Sequence, residues 1–496
     1  MWLELTLFIL TVVLGLAAVE QWSFYRKRAW LPGPASAPPF IGYIVDMVKR
    51  PFDFYEEQRR YGNMSWTSIL GRFFLFVNDG ETMRKVFNNM GDAFRLQLTL
   101  SAPIMLGKDK NIAYMNGPAH KALRKMLLPL FTRSALGVYL SIQEATILEH
   151  LDHWIRSRGS VDTFVEMRPR IRDMNVHTSY KVFVGPYIKD DAMMENMSQL
   201  YFKLNEGFLA LPISLPGTTL WYAVKAREQL IDILKTMVAA SRDHIANDGD
   251  VRCLLDVWMR AVKVADVMDE GEEAAEITAK HNTEEEIAYH LLDFLFASQD
   301  ASTSSLVWMV QLLHDHPDVR EKMVEEQRIV RPNNEPLSTE NIETMTYANQ
   351  VCLAMTYANQ VVREVLRYRP PVTMVPHVAV KDCQLTSDYK VKKGTIVIPY
   401  LWAPQHEDFE EGTSFRPDRW SPEKRTEAHG KSFLVFGHGP HVCLGQRYAM
   451  NHLVAFAALL VTRTKWTRKV TESGDKIIYL PTIYPADGCM VNVQPA

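Results

Sequence analysis

The segment from Phe436 to Gly445 reads FGHGPHVCLG and holds one cysteine, Cys443, in a loop rich in glycine and histidine. Its glycines and proline favour a tight irregular turn, and the apolar spacing after it predicts a helix over 444–464. Cys443 would then lie at a helix start, where the helix dipole and free backbone N–H groups favour a thiolate. Such a thiolate suits axial ligation of haem iron. The alternative interpretation is a buried structural cysteine.

Two charged segments precede this loop. Glu364 and Arg367 are three residues apart on a predicted helix, so both side chains lie on one helix face. The later segment FRPDRW carries Arg419. Together with the F-x-x-G-x-x-x-C-x-G pattern ending at Gly445, these motifs resemble, in their order, those of the cytochrome P-450 family, and the resemblance covers essentially the whole chain. It implies an ion-pair triad of Glu364, Arg367 and Arg419 that braces the cysteine loop, since buried charges are tolerable only when paired.

The resemblance also implies a cofactor, haem b, whose iron is bound by the Cys443 thiolate. The other residues that it assigns to haem binding come from three separate segments of the chain. Arg124 matches the arginine that contacts a haem propionate in the family, although the usual tryptophan four residues earlier is replaced here. The full set of expected haem-binding residues is Cys443, Phe436, Gly437, His441, Arg124, His120 and His377. Each of the three histidines could instead be an ordinary surface residue.

The chain departs from the family in the middle of its longest predicted helix, where the family usually reads A-G-x-D-T-T. Here Asp300 matches the acid, but Ala301 replaces the alcohol that follows it. An acid–alcohol pair passes protons to iron-bound dioxygen in a typical hydroxylase. Because alanine cannot donate a proton, we expect Ser302, Thr303 or an ordered water to take that place. The expected catalytic residues are therefore Asp300, Ser302 and Thr303.

This variant, FASQDAST over 296–303, resembles the central helix of the sterol C-22 desaturases, a subfamily of the same family. The segments 439–449 and 114–124 resemble that subfamily as well. The resemblance implies an oxidoreductase that uses dioxygen to remove two hydrogens from carbons 22 and 23 of a sterol side chain. Substrate pose would separate desaturation from hydroxylation. The alternatives are another sterol or lipid monooxygenase, such as a 14-demethylase or fatty-acid hydroxylase, a haem enzyme that rearranges hydroperoxides, and a non-catalytic haem protein.

A sterol requires a long apolar slot, and several segments could supply one. The candidate residues are apolar or small and come from separate parts of the chain, and each taken singly is as compatible with plain core. They are Phe208, Leu211, Phe294, Ala297, Thr373, Met374 and Ile483. The stretch 208–220 could also touch a membrane and admit a water-insoluble substrate.

The N-terminal segment predicts attachment to a membrane. Residues 5–19 carry no charge, and Arg26, Lys27 and Arg28 follow closely, which favours a cytosolic body after a single span. A cleaved signal peptide is the alternative, but it would carry basic residues before the apolar core. We predict an anchor over 1–25, a basic and proline-rich hinge over 26–40, and one catalytic domain over 41–496. The resemblance implies the endoplasmic reticulum membrane.

Composition limits the other possibilities. The 496 residues are 47% hydrophobic and 23% charged, with a net charge of −3, so the balance is globular and no basic excess indicates nucleic-acid binding. Five separated cysteines without a CxxC pair argue against a disulfide scaffold and a zinc site. No complete G-x-G-x-x-G pattern is present, so electrons from NADPH must arrive through a reductase. The resemblance names NADPH–cytochrome P-450 reductase, and allows cytochrome b5 as a further donor.

The expected fold is mainly α with smaller β regions, that of the cytochrome P-450 family. Thr283–Glu286 forms a capping box, and no glycine or proline interrupts the pattern until Pro317, which predicts a helix of about 32 residues buried in a large fold. A hairpin is predicted over 65–77 and a second strand-rich region over 372–400. The heptapeptide MTYANQV occurs at 345–351 and again at 355–361; we assign it no function.

Overall fold

The computed structural model describes residues 2–107, 110–157, 163–267, 283–338, 357–424, 426–479 and 482–496. The chain forms two compact units, each assembled from separated segments. The first unit contains Met1–Leu98, Val372–Gly412 and Ala428–Val442, and the second contains Thr99–Pro371, Thr413–Glu427 and Cys443–Ala496. Most of the repeated heptapeptide lies outside the described residues. The division into an anchor, a hinge and one catalytic domain stays a prediction.

The first unit combines short helices with a five-stranded sheet. Its helices are α1 (Trp2–Arg28), α2 (Ile44–Lys49), α3 (Pro51–Arg60), α4 (Gly80–Asn88), α15 (Trp402–Glu407) and α16 (Glu427–Lys431). The first residue of α16, Glu427, is counted with the second unit. Its strands are β1 (Met64–Ile69), β2 (Arg72–Val77), β3 (Phe94–Leu96), β5 (His377–Ala379), β6 (Cys383–Gln384), β7 (Lys390–Val391) and β8 (Ile396–Pro399). The sheet order is β1-β2-β8-β5-β3, and β6 pairs with β7. The predicted hairpin is confirmed: β1 and β2 are antiparallel around Leu70 and Gly71, both at positive φ.

The second unit is mainly helical. Its helices are α5 (Ala102–Leu106), α6 (Gly117–Leu127), α7 (Arg133–Arg156), α8 (Met167–Val184), α9 (Asp191–Glu206), α10 (Thr219–Ala246), α11 (Leu254–Val267), α12 (Glu284–Asp315), α13 (Pro317–Val330), α14 (Tyr357–Tyr368) and α17 (Gln446–Arg463). Its strands are β4 (Val165–Glu166), β9 (Thr464–Arg468), β10 (Ile477–Tyr479), β11 (Ile483–Pro485) and β12 (Met490–Pro495). Strands β4, β12 and β9 form one sheet, and β10 pairs with β11.

The predicted long helix is confirmed as α12, which runs for 32 residues. Thr283 caps it, because its hydroxyl oxygen accepts a hydrogen bond from the backbone N–H of Glu286 at 3.3 Å. Most of its side chains are buried, including Leu291, Leu295 and Trp308. Helices α7, α8, α10 and α17 contribute further residues to the same unit's apolar core. Burial on nearly every side explains why the sequence of α12 is apolar on most faces.

Helix α1 is long and apolar enough to cross a membrane, with a mean hydropathy of 2.2 in its best window. It continues through the basic residues to Arg28, so the predicted hinge begins helical. Its last turns contact the first unit: Glu20 accepts hydrogen bonds from the backbone N–H of Phe40 at 2.9 and 3.1 Å, and Phe24 is buried beside Trp66 and Phe73. The end of the predicted anchor and Phe40, the last residue of the predicted hinge, are therefore part of a packed structure.

Candidate active site

Cys443 lies in the second unit, three residues before α17 begins at Gln446. Cys443 is classed as exposed by the surface area of the whole residue. Burial nevertheless raises the pKa of its thiol, and this effect exceeds the opposite effects of the Gly445 backbone N–H and of the Arg124 charge. Neighbouring protein atoms therefore desolvate the thiol although part of the residue's surface is accessible. The backbone N–H of Gly445 favours the thiolate, as the sequence predicts for a helix start, but burial outweighs it as long as no haem is bound. A bound metal ion would supply the missing stabilisation, because coordination deprotonates a thiol.

The loop that leads to Cys443 belongs to the first unit. Gly437 and Gly439 have φ values of 74° and 72°, a conformation that side chains rarely adopt. A Cβ at Gly439 would lie 2.8 Å from the carbonyl oxygen of Phe87, whereas a Cβ at Gly437 would meet no atom within 4 Å. Glycine is thus required at both positions, and open space adjoins the backbone at Gly437. Phe436 is half-buried, and His441 ends a short 3₁₀ turn.

On α6 of the second unit, Arg124 and His120 are one helical turn apart. Burial lowers the pKa of Arg124, and the charge of Cys443 opposes this change. His120 is buried, and its pKa falls to about 4 because of burial and the neighbouring Arg124. At neutral pH the helix therefore offers one cation close to the cysteine, and a neutral imidazole.

His377 of the first unit is in β5 and is almost fully buried, with its ring edge-on to Phe87. Burial lowers the pKa of His377 to about 3, and the charge of His441 lowers it slightly further. A neutral buried imidazole does not provide the positive charge that a propionate attracts. A neutral imidazole still donates one N–H hydrogen bond, so the predicted propionate contact of His377 stays a prediction.

The predicted charge triad is assembled in the second unit. Glu364 on α14 accepts from Arg367 at 2.8 and 2.9 Å and from Arg419 Nε at 3.0 Å, and all three side chains are buried. The backbone N–H of Arg416 and Trp420 Nε1 also donate to the Glu364 carboxylate, at 2.8 and 2.9 Å. Five donor contacts on one carboxylate compensate its desolvation. The donors outside the triad, the Arg416 backbone N–H and Trp420 Nε1, are positioned by the conformation of residues 414–420 and were not predicted from the sequence.

One face of α12 is accessible although the helix is buried. Ala297 is exposed, and Phe294, Ser298 and Ala301 are half-buried, while the residues before and after this stretch are mostly buried. These four positions are spaced i, i+3, i+4 and i+7, so they form one stripe. Ala301 therefore lies on an accessible stripe of an otherwise buried helix.

Asp300 is half-buried beside this stripe. Burial raises the pKa of its carboxyl group, and the positive charge of Arg172 lowers it by less. Its backbone carbonyl accepts hydrogen bonds from Thr482 Oγ1 and Tyr484 OH, both at 3.3 Å. The β11 segment therefore braces α12 at the residue whose carboxyl group would hold a proton.

The two hydroxyl residues expected to replace the missing alcohol are buried on α12. Thr303 Oγ1 accepts from Asn175 Nδ2 at 2.8 Å, and Asn175 Oδ1 accepts from His452 Nε2 at 2.8 Å. Ser302 is 8% exposed and Thr303 is 1% exposed, so neither lies on the accessible stripe. The sequence did not indicate Asn175 and His452, because each stands close to other polar residues of its helix.

The residues proposed for the substrate slot come from both units, and their common role stays a prediction; in the second unit the ring of Phe208 lies 5.8 Å from that of Phe296 on α12. In the second unit, Phe294 and Ala297 lie on the accessible stripe, and the carbonyl of Phe208 accepts from Thr99 Oγ1 and Ser101 Oγ at 2.6 and 2.8 Å. Leu211 is 75% exposed in a surface loop, while Ile483 is fully buried and its carbonyl is bonded by Ser304 and Trp308. In the first unit, Thr373 is buried and Met374 is half-buried.

These residues fit the cofactor that the motifs imply. Haem needs a soft axial ligand with free access, room for a flat ring and a cation for its propionates. In the second unit, the exposed residue Cys443 provides the sulfur and Arg124 provides the charge. In the first unit, the backbone at Gly437 borders open space. No group of three or more His, Cys, Asp or Glu side chains that could hold a bare metal ion occurs among the described residues. A single cysteine ligand suits a metal whose other ligands come from a porphyrin better than a metal ion held by protein side chains alone.

Comparison with known proteins defines the class. The model of the cytochrome P450 family matches residues 32–477, and the chain belongs to this family. A retinoic acid-bound cyanobacterial CYP120A1 has the same fold, with a TM-score of 0.74 at 22% identity, over 94% of this chain and 99% of that structure. The protein is accordingly an oxidoreductase with a haem-thiolate cofactor that uses dioxygen and electrons from a reductase.

Three relatives show the range of similarity. A probable cytochrome P450 524A1 of Dictyostelium discoideum is 39% identical over 98% of this chain and 87% of its own length. Cytochrome P450 710A3 of Arabidopsis thaliana is 38% identical over 98% of this chain and 96% of the relative. A C-22 sterol desaturase of Aspergillus fumigatus is 32% identical over 96% of this chain and 92% of the relative. All three are matched over nearly the whole chain.

Proposed function

We propose that this cytochrome P450 introduces a double bond between carbons 22 and 23 of a sterol side chain. The observation that carries the proposal is Ala301 on the accessible stripe of α12, next to Asp300, where the family usually has an alcohol. Whole-chain similarity to proteins named C-22 sterol desaturases supports the same reaction. Cytochromes P450 524A1 and 710A3 have higher identity to this chain, and their names state no activity, so this similarity is compatible with the proposed reaction.

The protein's own residues have distinct parts in this proposal. Cys443 would hold the haem iron, Arg124 and His441 would bind its propionates, and Phe436 and Gly437 would be further haem-binding residues. His120 and His377, as neutral imidazoles, would act as hydrogen-bonding or packing partners only. Glu364, Arg367 and Arg419 hold the segment that precedes the cysteine loop in the correct conformation.

When bound, the haem supplies the activation of dioxygen. The overall reaction balances: one sterol, one dioxygen, two electrons and two protons give the 22-ene and two waters. Asp300 holds a proton at its carboxyl group near neutral pH more readily than an exposed aspartate, because burial raises its pKa. Without an alcohol at 301, that proton must pass through water. Phe294 and Ala297 orient the sterol side chain, since pose decides between desaturation and hydroxylation.

We propose that α1 anchors the enzyme in the endoplasmic reticulum membrane, with the catalytic part in the cytosol. The mean hydropathy of α1 and the basic residues at its end support this orientation. In the second unit, Leu209, Leu211 and Leu215 are more than 60% exposed, which supports a second contact with lipid and a route for the sterol. NADPH–cytochrome P450 reductase would supply the electrons.

The test is expression of the full chain in cells that lack sterol C-22 desaturation but make the saturated side chain. Mass spectrometry of the sterols should detect the 22-ene with the wild-type chain and none with Cys443→Ser. Purified enzyme with reductase should give the same product in a reaction that depends on dioxygen. A hydroxylated sterol, a 14-demethylated sterol or a hydroxylated fatty acid as the main product would refute the proposal and identify the alternative.

A further inference from the structure

A cavity in the second unit has no place in the reaction above. It has a volume of about 680 Å³ and is bordered by α13, the turn that follows it, the end of α17 and β9. Cavities of this size accept small organic molecules. Its basic lining residues, four in all, are Arg320, Arg328, Arg331 and Lys465. Glu321 is the acidic side chain on the same wall, so the lining carries a positive excess.

Arg331 is the most buried of these cations, with 4% of its side chain exposed. Its Nη2 lies 3.4 Å from Glu144 Oε1, and its Nε donates to the backbone carbonyl of Glu335 at 2.5 Å. The third nitrogen, Nη1, has no hydrogen-bond partner among the described residues. An incompletely paired buried guanidinium is costly, so an anion at this wall would stabilise it.

The remaining lining supplies both positive charge and apolar surface. Arg320 lies over the ring of Trp466, with its guanidinium carbon 5.4 Å from the ring centre, and this contact holds the charge at the cavity wall. Lys465 and Arg328 are exposed at the rim and can move to meet a ligand. Val324 and Val461 provide an apolar wall on which an organic group could rest.

We propose that this cavity binds a phosphate group carried by a small organic molecule. Several guanidinium and ammonium groups that converge on one cavity match the charge and the multiple acceptor oxygens of phosphate. The volume exceeds that of inorganic phosphate, so the organic part fills the remainder against the valines. The site involves no haem-binding residue, and the inference does not depend on the proposed desaturation.

The test measures binding to the full-length haem protein at constant ionic strength, held with sodium chloride. The probes are inorganic pyrophosphate, glycerol 3-phosphate, and phosphatidylcholine vesicles with or without phosphatidic acid. Thermal unfolding and calorimetric titration give the affinity. The variant is Arg328→Gln with Lys465→Gln, which leaves the buried Arg331 intact. The matched control is Arg156→Gln with Lys469→Gln, two exposed cations away from the cavity.

We expect saturable binding to at least one phosphate probe, weakened at least about tenfold in the double variant and unchanged in the control. Saturation by glycerol 3-phosphate assigns a soluble ligand, and binding only to vesicles with phosphatidic acid assigns a lipid headgroup. The absence of saturable binding to every probe, or equal affinity in both variants, would overturn the inference. The ferrous carbonyl spectrum, recorded in parallel, shows that the haem site is intact in each variant.

Discussion

Asn175 Nδ2 donates a 2.8 Å hydrogen bond to Thr303 Oγ1, and this contact turns the threonine hydroxyl toward α8. Both side chains are almost fully buried. The Thr303 hydroxyl therefore joins α12 to α8, while Ala301 two residues earlier lies on the accessible stripe, and the catalytic role of Thr303 stays a prediction. The family usually has threonine where this chain has Ala301, and the hydroxyl of the nearby Thr303 already forms a hydrogen bond between two helices.

We predict that Thr303→Val lowers the free energy of unfolding by about 1–3 kcal/mol, because the buried Asn175 amide loses its acceptor. The ratio of 22-ene to other products should not change. Denaturant unfolding and product analysis test the two parts. Thr303→Ser is the matched control: it keeps the hydroxyl and should retain most of the stability. A variant that remains stable but loses desaturation would instead assign Thr303 to proton delivery.

At position 301 the expected effect is chemical. Ala301→Thr places a hydroxyl beside Asp300 and should raise the share of hydroxylated sterol, since a second proton donor then adjoins the carboxyl group. Ala301→Val has the same shape without the hydroxyl and separates a steric effect from proton donation. Products and turnover rate would be measured with reductase. If threonine leaves both unchanged, Ala301 has no mechanistic importance.

Removing the charge of Glu364 should be among the most damaging single changes. Glu364→Gln leaves Arg367 and Arg419 buried without their counter-charge, and we expect a loss of about 3–5 kcal/mol, with poor haem incorporation. Glu325→Gln is the control, because Glu325 and Arg328 form an exposed pair 3.5 Å apart whose loss should cost under about 1 kcal/mol. Equal stability of the two variants would contradict the bracing role of the triad.

His452 should make stability depend on pH. Burial lowers its pKa to about 4 in the folded protein, against 6.5 for the unperturbed side chain, so between these values the unfolded chain binds the additional proton. Stability is therefore complete above pH 6.5 and falls as the pH decreases toward 4, by about 1.4 kcal/mol per pH unit. His452→Gln should flatten this slope by about one proton. The slope comes from unfolding experiments at several pH values; an unchanged slope in the variant would show that His452 is not titrating there.

The last turns of α1 should contribute to the stability of the first unit. Phe24→Ala empties a site between Trp66 and Phe73 and should cost about 3–5 kcal/mol. Trp22→Ala, at a 60% exposed position on the same helix, should have little effect. Deleting residues 2–19 should accordingly preserve the melting temperature, whereas deleting residues 2–29 should lower it. Equal melting temperatures for the two truncations would show that 20–29 is only a connector.

The sequence predicted what depends on local spacing. The length of α12, its cap at Thr283, the β1–β2 hairpin and the pairing of Glu364 with Arg367 each follow from residues close together in the chain. The fate of other residues depends on distant contacts. Ile483 is buried beside α12, where Ser304 and Trp308 bind its carbonyl. Leu211 lies on the surface, and burial outweighs the helix start in setting the pKa of Cys443. None of these outcomes has a signal in local composition.

The most direct measurement for the whole account is the ferrous carbonyl spectrum of the purified protein, with Cys443→Ser beside it. The wild type should show the absorption band of a thiolate-ligated haem, and the serine variant should lose that band while Cys383→Ser, a cysteine at a strand in the first unit, keeps it. A wild-type spectrum typical of an imidazole-ligated haem, or a thiolate band that survives Cys443→Ser, would contradict the assignment of Cys443 as the iron ligand.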